Sequence, residues 1–416
     1  MAWLTPWMGR AVLVGLCATA GANTTGAAGL SDPSLAAVEL VVPTASQQTL
    51  PAPPMSPTSL TSPTSPAPPT PPAPPASRIA LMLPLRSEAL GQAAEAVRAG
   101  FVAGFERDRN GAVLTLYSTG DSADGSTAEV LSTYAEAVLA NDIVVGPLSR
   151  TDVTALIQAD AVRRPTIALS PPEGDGALPS QLLVIGLSLE EEARQVATWA
   201  GTGKTDARAL VLSGSAAWQR RTAKAYVAQW QQLGLESQVL ELPNTGSHFD
   251  AASLATLKKA LQTDKPALAF LALDAAQARQ VRAVVGSELP LYGISQLNPF
   301  VLQGRTSSTA WPDLDSTRLL DLPWMIEPSH PAVMIYPRVL PSPDQPRNAN
   351  LERLYALGID ASRIATEIGA RHTDFTLDGV SGKLAVKFGD GTTSFRRIPL
   401  QAIYRDGFVS PLVPAR

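Results

Sequence analysis

From Arg78 onward the chain alternates short apolar runs with longer amphipathic stretches, and this alternation restricts the fold more than any other feature. "RIALMLPL" has strand length and closes on proline; "LGQAAEAVRAGFVAGFERD" then sets Leu90, Ala94, Val97, Phe101 and Phe105 three or four apart, on one helix face. "AVLTLYS", "DIVVGPL", "PTIALS" and "LLVIGLS" are further strands, separated by the helices "TAEVLSTYAEAVLA", which Ser126 is placed to cap, and "TDVTALIQADA". Apolar strands that alternate with helices imply βαβ units around a buried parallel sheet. After "LEEEARQVATWA" and Gly201-Thr202-Gly203 the alternation restarts with "ARALVLS", "SQVLEL", "ALAFLAL" and "LPLYGIS". Two successive units of this size predict an α/β protein of two lobes, each a mostly parallel sheet flanked by helices. The expected division gives residues 78–201 and 326–370 to the first lobe, and 202–325 and 371–416 to the second. The last stretch reads as strands with tight turns at Asp390-Gly391 and Arg405-Asp406-Gly407.

The front of the chain is of another kind. Residues 1–22 read as an export signal: Arg10 precedes the apolar run "AVLVGLCATAGA", too short for a membrane-spanning helix. Residues 23–77 read as a disordered linker; 43–77 hold thirteen of the 36 prolines and no charge, so they cannot bury enough surface to fold. At ~3.1 Å per residue that proline-rich stretch extends to roughly 100 Å, long enough to hold the body away from an anchor. The single cysteine, Cys17, lies inside the apolar run and is the candidate for lipid attachment in "VGLC". The body has no cysteine, so its stability rests on its apolar core rather than on disulfides. With a net charge of −4 and no basic block, nucleic acid is not an expected partner, and a membrane is expected only through the N-terminal lipid.

Reactive motifs fail one by one. "GTGKT" at 201–205 lacks the first P-loop glycine, since Thr198 stands there, and its helix-before-strand order is reversed. "SGSA" and "GVSG" miss the spacing of a nucleophile elbow. His248, His330 and His372 have no metal-ligand spacing, and "DSADGSTAE" does not match a calcium loop, so neither metal nor cofactor is expected. In "VVGPLSR" one glycine and a proline make a poor phosphate cradle, and Ser149 is placed to cap the following helix. Such strand-end turns also face the crevice between lobes. The expected cleft-lining groups are therefore Ser149 and Ser170 from the first lobe, and Ser213, Ser215, Ser295 and Gln296 from the second. Trp311, Trp324 and Tyr336, in an aromatic- and proline-rich stretch, are candidate anchors for a protein partner.

Several stretches resemble one family. "IALMLPLRSEALGQAAEAVRAGF", "YGISQLNP", "DLPWMI" with "HPAV", "LYALGIDASRIA", "DGVSGKLAVKF" and "RRIPLQAIYRDGFVSP" resemble the C-terminal domain of the penicillin-binding-protein activator lipoproteins, the LpoA/LppC family. The resemblance covers residues 78–416 and implies a type I periplasmic-binding-protein fold. It implies a non-enzymatic regulator in the periplasm, held at the outer membrane by an acylated cysteine, that stimulates a class A penicillin-binding protein in peptidoglycan synthesis. Longer family members carry a helical-repeat domain ahead of this region, where the proline-rich segment stands here. The alternative is a periplasmic solute-binding protein that closes on a small molecule such as an amino acid or a muropeptide. It needs convergent polar groups at the strand ends.

Overall fold

The computed structural model describes residues 77–109, 111–121, 127–174, 176–302, 309–338, 348–389, 391 and 393–412. The export signal at 1–22, Cys17, the linker at 23–77 apart from its last residue, Ser126 and Asp390 lie outside the described residues.

The first lobe runs through β1 (Arg78–Arg86), α1 (Gly91–Arg107), β2 (Val113–Gly120), α2 (Ala128–Ala140), β3 (Ile143–Val145), α3 (Arg150–Gln158), β4 (Thr166–Ala168) and β5 (Leu182–Val184). Its sheet is parallel throughout, in the order β2-β1-β3-β4-β5. The unbroken apolar run of β1 has a physical reason. Successive side chains point to opposite faces, and helices cover both. Ile79, Leu81 and Leu83 pack with Val97, Phe101 and Leu357. Ala80 and Met82 pack with Val130, Tyr134 and Val153 on the other side.

The second lobe contains α4 (Leu189–Gly201), β6 (Ala209–Ser213), α5 (Ala217–Gln232), β7 (Ser237–Glu241), the small ladder β8 (Asn244–Thr245) and β9 (His248–Phe249), α6 (Ala251–Asp264), β10 (Leu268–Ala272), α7 (Ala275–Val285), β11 (Leu291–Gly293) and β12 (Arg318–Asp321). Two short helices, α8 (Pro323–Ile326) and α9 (Pro331–Met334), lead to α10 (Ala349–Gly369). Then come β13 (Asp374–Gly379), β14 (Gly382–Lys387), β15 (Ser394–Ile398), β16 (Leu400–Arg405) and β17 (Phe408–Pro411). The second sheet has the order β17-β16-β12-β11-β10-β6-β7, parallel from β12 to β7, with β16 and β17 antiparallel at its edge.

Three segments part from the expected division. Helix α4, expected in the first lobe, buries Ala193, Val196, Ala197 and Ala200 against Tyr226, Trp230 and β6 of the second. The chain therefore passes between lobes at 185–188, before α4. The stretch 371–416 divides: β16 and β17 join the second sheet, while β13–β15 form a separate three-stranded sheet whose Leu384, Val386 and Phe388 complete the first-lobe core. The stretch 326–370 is shared. Ala349, Tyr355, Ala356 and Ile359 of α10 belong to the second-lobe core, whereas Leu357, Ala361, Ile364 and Ile368 belong to the first. A helix that crosses from one core to another is buried all round, which explains the short intervals between its apolar residues.

Helix α10 lies unusually close to α1. A Cβ on Gly100 would stand 1.9 Å from the Tyr355 carbonyl oxygen, and one on Gly358 would stand 2.2 Å from that of Val97. These two glycines let the helix backbones touch.

Candidate functional site: the junction between the lobes

The lobes are joined by the chain at 185–188, along α10 and at Pro399, and a cavity of about 290 Å³ lies between them, lined by Gly186, Glu192, Leu322, Phe395 and Arg397. Two buried polar networks surround it. In the first, Arg353 of α10 donates to both carboxylate oxygens of Asp321 at the end of β12, at 3.0 and 2.8 Å, and to the carbonyls of Ser295 and Asn298 at 2.8 and 2.9 Å. Asn298 Nδ2 also donates to Asp321, at 2.7 Å. Glu192 of α4 accepts from the Ser295 N–H at 2.9 Å and from its hydroxyl at 3.2 Å. In the second, Arg397 of β15 donates to the Ile185 and Gly186 carbonyls at 2.7 and 3.0 Å and to Ser381 Oγ at 2.9 Å. Asp360 of α10 accepts from the Val380 and Ser381 N–H groups at 3.0 and 2.8 Å.

Burial sets the electrostatics here. Loss of water pushes the Glu192 carboxyl up to about 7; the Ser295 hydrogen bonds pull the other way, and the nearby Asp321 charge adds to the rise. Asp360 is raised by burial against its bonds to Ser381. Arg397 is lowered to about 10 by burial, in spite of the Asp360 charge. Burial also pulls Arg353 down, but the Asp321 charge and hydrogen bonds outweigh it and the group ends above its usual value.

The expected cleft residues are engaged internally. Ser149 caps α3 by accepting from the Asp152 N–H at 3.0 Å, and Ser170 Oγ donates to the Leu148 carbonyl. Ser213 is buried at the end of β6. Ser215 donates through N–H and hydroxyl to Asn244 Oδ1 at 2.8 and 2.9 Å. Ser295 holds Glu192, and Gln296 donates to Asn350 Oδ1 at 3.2 Å. Ser295 and Gln296 thus come together beside Arg353, while no hydrogen bond among the described residues connects Ser149 or Ser170 with the four from the second lobe.

The aromatic candidates divide too. Trp324 is fully buried, with Nε1 donating to Glu352 at 2.9 Å and Arg338 stacked 4.2 Å over its ring. Tyr336 is 5% exposed within the second-lobe core. Both are corrected from surface anchors to core residues, because their rings fill the space where α8 and α9 meet α10. Trp311 stays half-buried, edge-on to Phe300 and under Arg279 at 4.8 Å.

Sequence reasoning missed Glu192, Asp321, Arg353, Asp360 and Arg397. A signal existed for two of them. Glu192 stands four and eight residues before the buried Val196 and Ala200, and Arg353 four before the buried Leu357, so each charge occupies a core position of its helix.

Among the described residues, no group of three His, Cys, Asp or Glu is placed to hold a metal ion, and no helix is long and apolar enough to cross a membrane. His330 accepts from the Ala332 N–H at the start of α9, and His372 pairs with Glu367.

Two parallel-sheet lobes, several chain passages between them and an antiparallel strand pair on the second sheet define a type I periplasmic-binding-protein-like fold. The chain belongs to the LppC lipoprotein family, whose model matches residues 73–391. A curated relative, penicillin-binding protein activator LpoA of Photobacterium profundum, is 26% identical over 351 residues, 74% of this chain and 53% of the relative. The chain therefore spans about half the length of that protein. A solved structure from Chromobacterium violaceum ATCC 12472, named for a branched-chain amino acid ABC transporter, is 33% identical with a TM-score of 0.60, covering 79% of this chain and all of the other. The C-domain of LpoA from Haemophilus influenzae, named a regulator of PBP1A, superposes with a TM-score of 0.63 at 20% identity over 81% of this chain and all of that domain. The curated relative is named for activation of a penicillin-binding protein rather than for a reaction.

Proposed function

We propose that this chain is a non-catalytic periplasmic regulator that docks on a class A penicillin-binding protein and stimulates its peptidoglycan synthesis, anchored at the outer membrane through an acylated Cys17. The observation that carries the reading is the buried anchoring of α10, the helix shared by both cores, to the second sheet. Arg353 bonds Asp321, Ser295 and Asn298 at once, and the serines at the strand ends serve internal bonds instead of facing a solute. A body whose shared helix is held in this way suits a rigid docking module. Of the three aromatic candidates Trp311 keeps an exposed face, and we assign partner docking to it. The test is glycan cross-linking by the organism's class A penicillin-binding proteins, with and without the purified full chain. A dose-dependent rise supports the reading; no rise, together with no binding to any of those synthases, overturns it.

The second reading is a solute-binding protein. The cavity between the lobes and the name of the Chromobacterium violaceum structure favour it. Thermal-shift screening with amino acids and muropeptides separates the two: a saturable rise in Tm with one compound supports solute binding, and a flat response leaves the regulator.

A further inference from the structure

At the opposite end of the first-lobe sheet from its strand-end turns lies a larger cavity, of about 900 Å³. Four segments far apart in the chain each bring one arginine to it: Arg78 at the start of β1, Arg109 after α1, Arg164 before β4 and Arg371 after α10. Asp142 supplies the acid in this lining, and it is taken by Arg78, which donates to both its oxygens at 3.3 and 3.0 Å. Arg109 stacks 5.9 Å over the Phe105 ring. The side chains of Arg164 and Arg371 are exposed and make no hydrogen bond among the described residues, although the Arg164 charge lies near enough to Asp142 to help hold that carboxyl low.

The bland explanation is that arginines neutralise helix C-termini, and α1, α2 and α10 do end here. Each such end is equivalent to about half a negative charge. With Asp142 that makes about two and a half negative charges against four guanidinium groups, in a protein whose net charge is −4. A positive surplus remains. Arg371 carries a further mark: it has φ 66°, the left-handed conformation that glycine adopts without strain beyond a helix end. An arginine held there points to a use for its side chain.

We propose that this cavity is a binding site for a phosphate-bearing anion, with the exposed Arg164 and Arg371 as its forks. Planar guanidinium groups match phosphate oxygens in pairs, and the volume admits an organic group beyond the phosphate. The phosphate can come from a soluble compound or from a phospholipid headgroup.

Titration calorimetry of the full chain with inorganic pyrophosphate tests the soluble source. Co-sedimentation with vesicles of phosphatidylglycerol and phosphatidylcholine, against phosphatidylcholine alone, tests the lipid source. Binding in either arm that weakens at least ten-fold in the double variant Arg164→Gln/Arg371→Gln, and not in Arg405→Gln on the second lobe, supports the site and identifies the source. Three results overturn it: no binding in either arm, binding that the double variant retains, or citrate bound as tightly as pyrophosphate.

Discussion

Arg353 and Asp321 form a bidentate ion pair whose side chains are 5% and 0% exposed, and they join the helix shared by both cores to the last parallel strand of the second sheet. A buried pair adds little to stability over an apolar substitute of equal size, but removal of one partner strands the other charge without water. Its structural value lies in fixing the helix shared by both cores on the second sheet.

Replacement of Arg353 by Met therefore leaves Asp321 with Asn298 and the Leu322 N–H as partners. The expected loss is about 3–5 kcal/mol in urea unfolding, and Arg353→Met with Asp321→Leu is expected to recover part of it. A single-variant loss below about 1 kcal/mol would show that the pair does not hold α10 on the second sheet.

Stability is expected to fall as pH rises from about 4.5 to about 7. The Glu192 carboxyl is pushed up to about 7 in the folded chain and titrates near ~4.3 when unfolded, so across this window the folded state keeps a proton that the unfolded state has lost. That difference amounts to about 4 kcal/mol, fully lost above pH 7. Asp360, also raised, acts in the same direction. Glu192→Gln should flatten the decline seen in urea melts at pH 5, 6 and 7. An unchanged slope would mean that Glu192 is ionised in the fold.

The contact between α1 and α10 predicts an inverted response to a helix-favouring change. Alanine exceeds glycine in helix propensity by about 1 kcal/mol. At Gly100 or Gly358 its methyl would overlap a carbonyl oxygen of the facing helix, and such overpacking costs about 1–3 kcal/mol. Each Gly→Ala variant should therefore lower Tm; a rise would indicate helices that stand apart in solution.

The cap of α3 offers a smaller and cleaner change. Ser149→Ala removes the acceptor for the Asp152 N–H and should cost about 1 kcal/mol. The hydroxyl serves this cap and the adjoining Asp152 carboxyl, both inside the turn, so synthase stimulation should be unaffected. A variant that folds normally yet fails to stimulate would show that the turn itself is a contact surface.

The sequence made the lobes legible because strand and helix periods are local: the β1 run and the α1 stripe announce themselves within twenty residues. What it concealed depends on contacts between distant segments. The spacing of α4 reveals a helix but not which core it enters, since Ala193 and Val196 would suit either lobe. The strands of 374–398 look like those of 400–411, and long-range contacts separate them: Arg397 bonds Ile185 and Gly186, while β16 pairs with β12. Trp324 and Tyr336 lie in a stretch without periodicity, where aromatic content alone cannot tell an exposed anchor from a core plug.

Trp311 carries the docking proposal and can be tested apart from stability. Its ring is half-buried on Phe300 and under Arg279, so truncation leaves the core of the lobe in place. Buried aromatic anchors at protein interfaces commonly cost about 2 kcal/mol or more on truncation, about thirty-fold in affinity. Trp311→Ala should therefore raise the concentration of chain needed for half-maximal stimulation of the synthase by at least ten-fold, with Trp311→Phe in between. Trp199, half-buried against Tyr292 elsewhere on the second lobe, serves as the control, and Trp199→Ala should leave that concentration unchanged. Equal loss in both tryptophan variants would trace the effect to stability, and no loss in Trp311→Ala would move the docking face away from this residue.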